Sequence, residues 1–182
     1  PARASENQTT PIDASEDVER GLKAIRVGRY DNAVERLERA VNTAPDSLPA
    51  QLGLAWAYLK MRQFGPSVAQ AVKVLEKAPE NARAHALIGV ALMRVGFLAE
   101  ATSSFDSALR SDPGEALALA GLAELDLYAG NLAESLRRAR EAVARSPREP
   151  DLLYLLGQTS SRQERYEEAA DAYERFLAVA ND

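Results

Sequence analysis

The sequence predicts an all-α protein built as a single file of five helical hairpins. Pro45, Pro79, Pro113 and Pro147 stand 34 residues apart, each following one apolar helical run and preceding another. Small residues keep the same register: Ala33, Ser67, Ala101, Ser135 and Ala169 recur at one point of the period, and Ala40, Val74, Ala108 and Ala142, with Phe176 in step, at a second. Small side chains at fixed points let helix backbones approach closely. The composition agrees, with 46% hydrophobic but only 6% aromatic residues and abundant alanine, the best helix former.

The elements follow in order when each unit is numbered from place 1 to place 34. Residues 1–13 are polar, proline-containing and without period, which predicts a flexible tail. The first unit, 14–47, ends its first helix at Gly28, where a left-handed residue costs glycine little. The second, 48–81, opens on Ser47 as N-cap with Pro49 just inside the helix, and Pro66 starts its second helix. It carries Arg62 at the turn, a strain of about 1 kcal/mol if the geometry is kept. The third, 82–115, has Asn81 as N-cap and Gly96 at the turn, and the fourth, 116–149, has Gly130. The fifth, 150–182, starts at Pro150 and has Glu164 at the turn, with the same strain expected. A large residue begins each second helix: Tyr30, Phe64, Leu98, Leu132 and Tyr166.

Charge and composition exclude several functions. Lys and Arg number 22 against 27 acidic residues, for a net charge of -5 and a pI near 5.1, so no global field draws the chain to phosphate backbones and nucleic acid is not an expected partner. No apolar run reaches the ~18 residues of a spanning helix, so membrane insertion is not expected. With no cysteine and one histidine, a nucleophile–base pair or a histidine metal site has no material, and the chain reads as neither an enzyme nor a cofactor binder. Carboxylates such as Asp17, Glu19, Glu167 and Glu168 sit at helix starts, where they favour the helix dipole. The alanine- and arginine-rich wording and the start at Pro1 lean toward a bacterial, periplasmic or otherwise exported protein over a cytoplasmic one.

The recurring residues resemble the tetratricopeptide repeat family: Gly21, Gly89 and Gly157 at place 8, Tyr58 at 11, Ala33, Ala101 and Ala169 at 20, Leu37, Phe105 and Tyr173 at 24, and the proline at 32. The family's usual aromatic at place 4 is replaced by Asp17, Gln51, His85, Leu119 and Leu153. The resemblance covers residues 14–182 and implies a right-handed α-α superhelix, a solenoid whose first helices line a concave groove.

That implication assigns the groove to places 5, 9 and 12, which share one helix face. These are Val18, Leu22 and Ile25; Leu52, Trp56 and Leu59; Ala86, Val90 and Met93; Ala120, Glu124 and Leu127; Tyr154, Gln158 and Ser161. The strip is apolar over three units and polar afterwards, which suits an amphipathic helix or an extended segment of a partner protein. Trp56, the single tryptophan, is either a binding hot spot or packing between hairpins. Place 13 adds Arg26, Lys60, Arg94 and Arg162, with Tyr128 in the fourth unit; these cations either form a basic rim for an acidic peptide or stabilise helix ends from water. The chaperone-tail adaptors of the family hold a carboxylate at places occupied here by Val18, Leu22, Gly53, Arg83 and Leu87. Only Arg83 suits that task, so such an adaptor is not expected.

The two ends differ. Places 3, 4, 7 and 10 pack on the preceding hairpin in inner units but read Glu16, Asp17, Arg20 and Lys23 in the first, so the first hairpin is expected to be a cap with nothing packed there. The last hairpin keeps apolar Tyr173 and Leu177, so either more protein follows or this face pairs with a second copy as a homodimer. The functional expectation is a protein-protein interaction module, with a self-associating scaffold or a regulatory domain of a longer multidomain protein as alternatives.

Overall fold

The computed structural model describes residues 14–180, so the expected tail at 1–13 lies outside the described residues. Among the described residues ten helices run in chain order: α1 (Ala14–Arg26), α2 (Tyr30–Thr43), α3 (Leu48–Lys60), α4 (Phe64–Lys77), α5 (Ala82–Arg94), α6 (Leu98–Ser111), α7 (Ala116–Ala129), α8 (Leu132–Arg145), α9 (Pro150–Arg162) and α10 (Tyr166–Ala180). Consecutive helices pair as hairpins, and each hairpin packs on the next, giving an all-α solenoid. Each first helix also touches the first helix of the following hairpin, while second helices meet only helices adjacent in the chain. The odd-numbered helices therefore form one continuous wall.

The local chemistry explains the punctuation. Gly28, Gly96 and Gly130 have φ of 71°, 93° and 81°, and Arg62 and Glu164 take the same left-handed conformation at 60° and 59°. The hairpin turn thus demands that conformation even where no glycine supplies it. Ser47 accepts a hydrogen bond from the Ala50 N–H at 3.4 Å, and Asn81 accepts one from Ala84 at 2.9 Å. Ala44 and Ala78 close α2 and α4 by donating to Ala40 and Val74, and the proline next in line cannot continue the helix.

Hairpins interlock by exchanging volume at three places. Phe105 on α6 is wholly buried. A Cβ on Gly89 of α5 would lie 2.6 Å from its ring, and one on Gly121 of α7 2.2 Å from it, so the ring fills a slot cut by two glycines. Leu37 fills the corresponding slot between Gly21 and Gly53. In the second and fourth hairpins the order inverts. Ala71 and Ala139 replace the large residue, Ala55 and Ala123 replace the glycine, and Leu87 and Leu155 enter from the following hairpin. Buried Ser67 and Ser135 there donate to the carbonyls of Ala55 and Ala123 at 2.8 and 2.7 Å.

One expectation needs correction. Asp17 is buried at 3% exposure, where Arg36 and Arg39 of α2 donate to its carboxylate at 3.1 to 3.3 Å. On α3 and α5 the same place turns toward the connection from the preceding hairpin. Gln51 donates to the Pro45 carbonyl at 2.6 Å, and the His85 ring Nε2 lies 2.8 Å from that of Pro79. Burial alone would raise the Asp17 carboxyl, but hydrogen bonds and charge from Arg39 and Arg36 outweigh it and hold the group below the ordinary value.

Candidate functional site: a concave cavity

The wall of first helices curves around a cavity of about 640 Å³. Its lining draws on all five hairpins, from Tyr30 at the start of α2 to Gln158 on α9. Leu59, Val90, Met93, Leu117, Ala120 and Leu155 supply apolar surface, and Trp56, Phe64, Tyr128 and Tyr154 add rings. The charged residues divide by hairpin. Lys60, Arg62, Arg83 and Arg94 come from the second and third, and Glu124, Glu149 and Asp151 from the fourth and from the start of the fifth.

Four of these seven charges pair with one another, and Arg83 pairs with Glu115 outside the lining. Arg94 donates to both carboxylate oxygens of Glu124 at 2.6 and 3.0 Å, and Tyr128 donates to the same carboxylate at 3.1 Å. The charge of Glu124, then that hydrogen bond, raise the Tyr128 phenol above its ordinary value. Arg83 donates to Glu115 at 2.8 Å while its guanidinium carbon stands 3.8 Å from the centroid of the Trp56 ring, a cation–π contact. Lys60 bridges to Asp151 on α9. Glu149 is half-buried, and desolvation pushes its carboxyl above the usual range, with Asp151 adding to the shift and Lys60 and Arg83 opposing it.

Of the residues expected from sequence, Trp56, Leu59, Val90, Met93, Tyr128 and Tyr154 line the cavity, as do Lys60 and Arg94. Val18, Leu22, Ile25, Leu52 and Leu127 are not among its lining. Leu22 instead packs over Gly53 on α3, Ile25 packs on the core between the first two hairpins, Leu52 on that of the second and third, and Leu127 on that of the fourth and fifth. Arg26 and Arg162 are exposed outside the cavity. The two ladder members that line the cavity, Lys60 and Arg94, each hold an acidic partner. Trp56 is partly buried against the core of the second and third hairpins and also lines the cavity. Its indole N–H finds no acceptor among the described residues.

Arg83, Glu149 and Asp151 escaped the stripe. Place 2 lies one turn before place 5 on the same helix face, so extending the stripe backward finds Arg83 and Asp151. Glu149 precedes α9, and its position depends on the loop.

At the C-terminal end, Tyr173 packs its ring 5.8 Å from that of Tyr154, which also meets Phe176 at 5.6 Å. Leu177 is 57% exposed.

Family models for the tetratricopeptide repeat match residues 24–91 and 120–182. The chain belongs to the tetratricopeptide repeat family. Among curated relatives it is 32% identical over 129 residues to the CTR9 homolog of Arabidopsis thaliana, covering 69% of this chain and 12% of that protein. It is 26% identical over 111 residues to the Hsp70-Hsp90 organizing protein of Triticum aestivum, covering 61% of this chain and 19% of that one. The chain therefore spans a small part of the length of the curated relatives it matches. Among solved structures, TTC0263, a thermophilic tetratricopeptide protein of Thermus thermophilus, superposes with a TM-score of 0.78 at 20% identity, over 93% of this chain and 92% of that one. Tetratricopeptide proteins bind protein partners and are in general non-enzymatic scaffolds. Among the described residues no helix is long and apolar enough to cross a membrane.

Proposed function

We propose that the chain is a non-catalytic recognition module whose concave cavity receives a peptide or helical segment of a partner protein. The observation that carries this reading is the cavity itself: about 640 Å³ of concave space with apolar and aromatic surface and charges at its sides. An apolar concavity with a few oriented polar groups is what a bound segment needs. Trp56, Leu59, Val90, Met93, Tyr128 and Tyr154 would make the contacts, with Lys60 and Arg94 beside them. The reading treats 14–182 as one domain of five repeats, divided as expected from the sequence.

Selection of short peptides from a display library against the whole chain tests it. Bound peptides should shift the emission of Trp56 and lose affinity for Ala120→Trp, which fills the cavity. Peptides that bind wild type and Ala120→Trp equally would defeat the groove reading.

The exposed Leu177 beside Tyr173 favours a second reading, pairing of two copies through the C-terminal face. Sedimentation of wild type should then show a dimer that Leu177→Lys converts to monomer; a monomeric wild type would end it.

A further inference from the structure

The bridge between Lys60 and Asp151 joins the second hairpin to the fifth. Apart from side chains the two helices are strangers, for no Cα of α3 comes within 8 Å of one on α9. Both residues line the cavity, so the bridge crosses open space and not a packed interface. Its halves are unequal: the Lys60 side chain is 24% exposed and that of Asp151 71%. Asp151 can return to water at little cost. It also keeps a favourable place in the first turn of α9, near the positive end of the helix, whether bridged or not. Lys60 is the more enclosed charge and has more to lose when the bridge opens, with the charge of Glu149 near it but no hydrogen bond between the two. In the same cavity Arg94 is held by both oxygens of Glu124 and Arg83 by Glu115, and both of those acids are far less exposed than Asp151. Among the cavity cations bridged to a carboxylate, Lys60 is therefore the one whose acid is easiest to replace; Arg62, the fourth cation, lies exposed at the hairpin turn.

We propose that Asp151 is an internal placeholder, an intramolecular clasp that occupies Lys60 until an acidic side chain of the partner segment takes its place. The clasp draws the second and fifth hairpins together across the cavity, and an entering acidic group releases them. This inference rests on the groove reading above and adds to it the chemistry of the partner: apolar residues for the floor and a carboxylate for Lys60.

The test uses the full chain and two dansylated probes, an amphipathic peptide of Leu, Ala and Glu and its counterpart with Lys for Glu. Energy transfer from the single tryptophan, Trp56, reports arrival in the cavity. Asp151→Asn should raise the affinity for the acidic probe roughly two- to fivefold, the scale of a partly exposed ion pair, and Lys60→Ala should lower it. The double reversal Lys60→Asp with Asp151→Lys should transfer the preference to the basic probe. The chain has no cysteine, so spin labels placed through Gln63→Cys and Ser161→Cys, both exposed positions, read the gap between the hairpins. That distance should lengthen in Asp151→Asn and return in the double reversal. Equal affinity of the acidic probe for wild type, Asp151→Asn and Lys60→Ala overturns the clasp and leaves the groove reading standing. Failure of both probes to reach Trp56 in every variant overturns both.

Discussion

The odd and even hairpins solve the same packing problem with opposite distributions of volume. In the first, third and fifth, place 24 of the second helix is large, as Leu37, Phe105 and Tyr173, and place 8 is glycine. In the second and fourth, place 24 and place 8 are alanines and place 20 is a serine bonded to the place 8 carbonyl. Place 6 of the following hairpin answers each choice, with Gly53 and Gly121 after large residues and Leu87 and Leu155 after small ones. The lesson is that the packing unit is the junction between hairpins and not the hairpin. Each junction holds one large side chain among small ones, as close packing requires, while the helix that supplies it changes.

The largest effect that could break this comparison is at the third junction. Phe105→Ala should cost about 3–5 kcal/mol in urea unfolding. Adding Gly89→Ala and Gly121→Leu, which rewrites the junction in the even pattern, should recover more than half of that loss. No recovery would mean that the two patterns are not interchangeable. Next in size, Gly121→Ala should destabilise by about 1–3 kcal/mol, because its Cβ meets a buried ring held on both sides. The reverse change at an even junction, Ala123→Gly, should cost only about 1 kcal/mol, mostly from helix propensity. Equal costs would deny the slot its role. Ser67→Ala and Ser135→Ala should each cost about 0.5–1.5 kcal/mol, since their targets are carbonyls already inside a helix. The reverse change, Ala101→Ser, would show whether an odd hairpin has room for the hydroxyl.

Titration gives the smallest and most local check. At place 11, Tyr58 donates to Glu38 of the first hairpin at 2.6 Å, and burial, then that hydrogen bond, then the charge of Glu38 push the phenol up to about 12. A raised folded value means that this contribution is whole below the ordinary phenol value of 10.0 and is lost as pH rises through about 12. Ultraviolet titration of wild type against Tyr58→Phe should show one phenol titrating late, and Glu38→Gln should bring it earlier. Asp17 gives the opposite sign. Its carboxyl is lowered below 3.8, so its stabilisation is present above that value and lost as pH falls through the folded one. Asp17→Asn should flatten that acid limb of the stability curve.

Much of this was readable in the chain. The proline period, the turn glycines and the two N-caps announce hairpins because they act within a few residues of themselves. The column Gly21, Ala55, Gly89, Ala123, Gly157 was legible too, but its meaning lies in a ring or methyl group on another helix. The cavity was half legible. Trp56, Leu59 and Val90 lie on a stripe that local geometry predicts, while Leu22, Ile25, Leu52 and Leu127 on the same stripe are drawn into packing. Periodicity assigns a face; the curvature of the stack divides that face between neighbour and cavity.

By itself the sequence determined the helices, their turns and their repetition, since caps, breakers and apolar period act over distances of a few residues. It also set the small-residue columns that let helices approach. Only the tertiary structure decided which charges meet. Lys60 finds Asp151 from 91 positions away, and Asp17 finds two arginines on the next helix. Such pairs depend on how each hairpin is rotated against the last, and small rotations accumulate along the stack to a separation that no local pattern encodes.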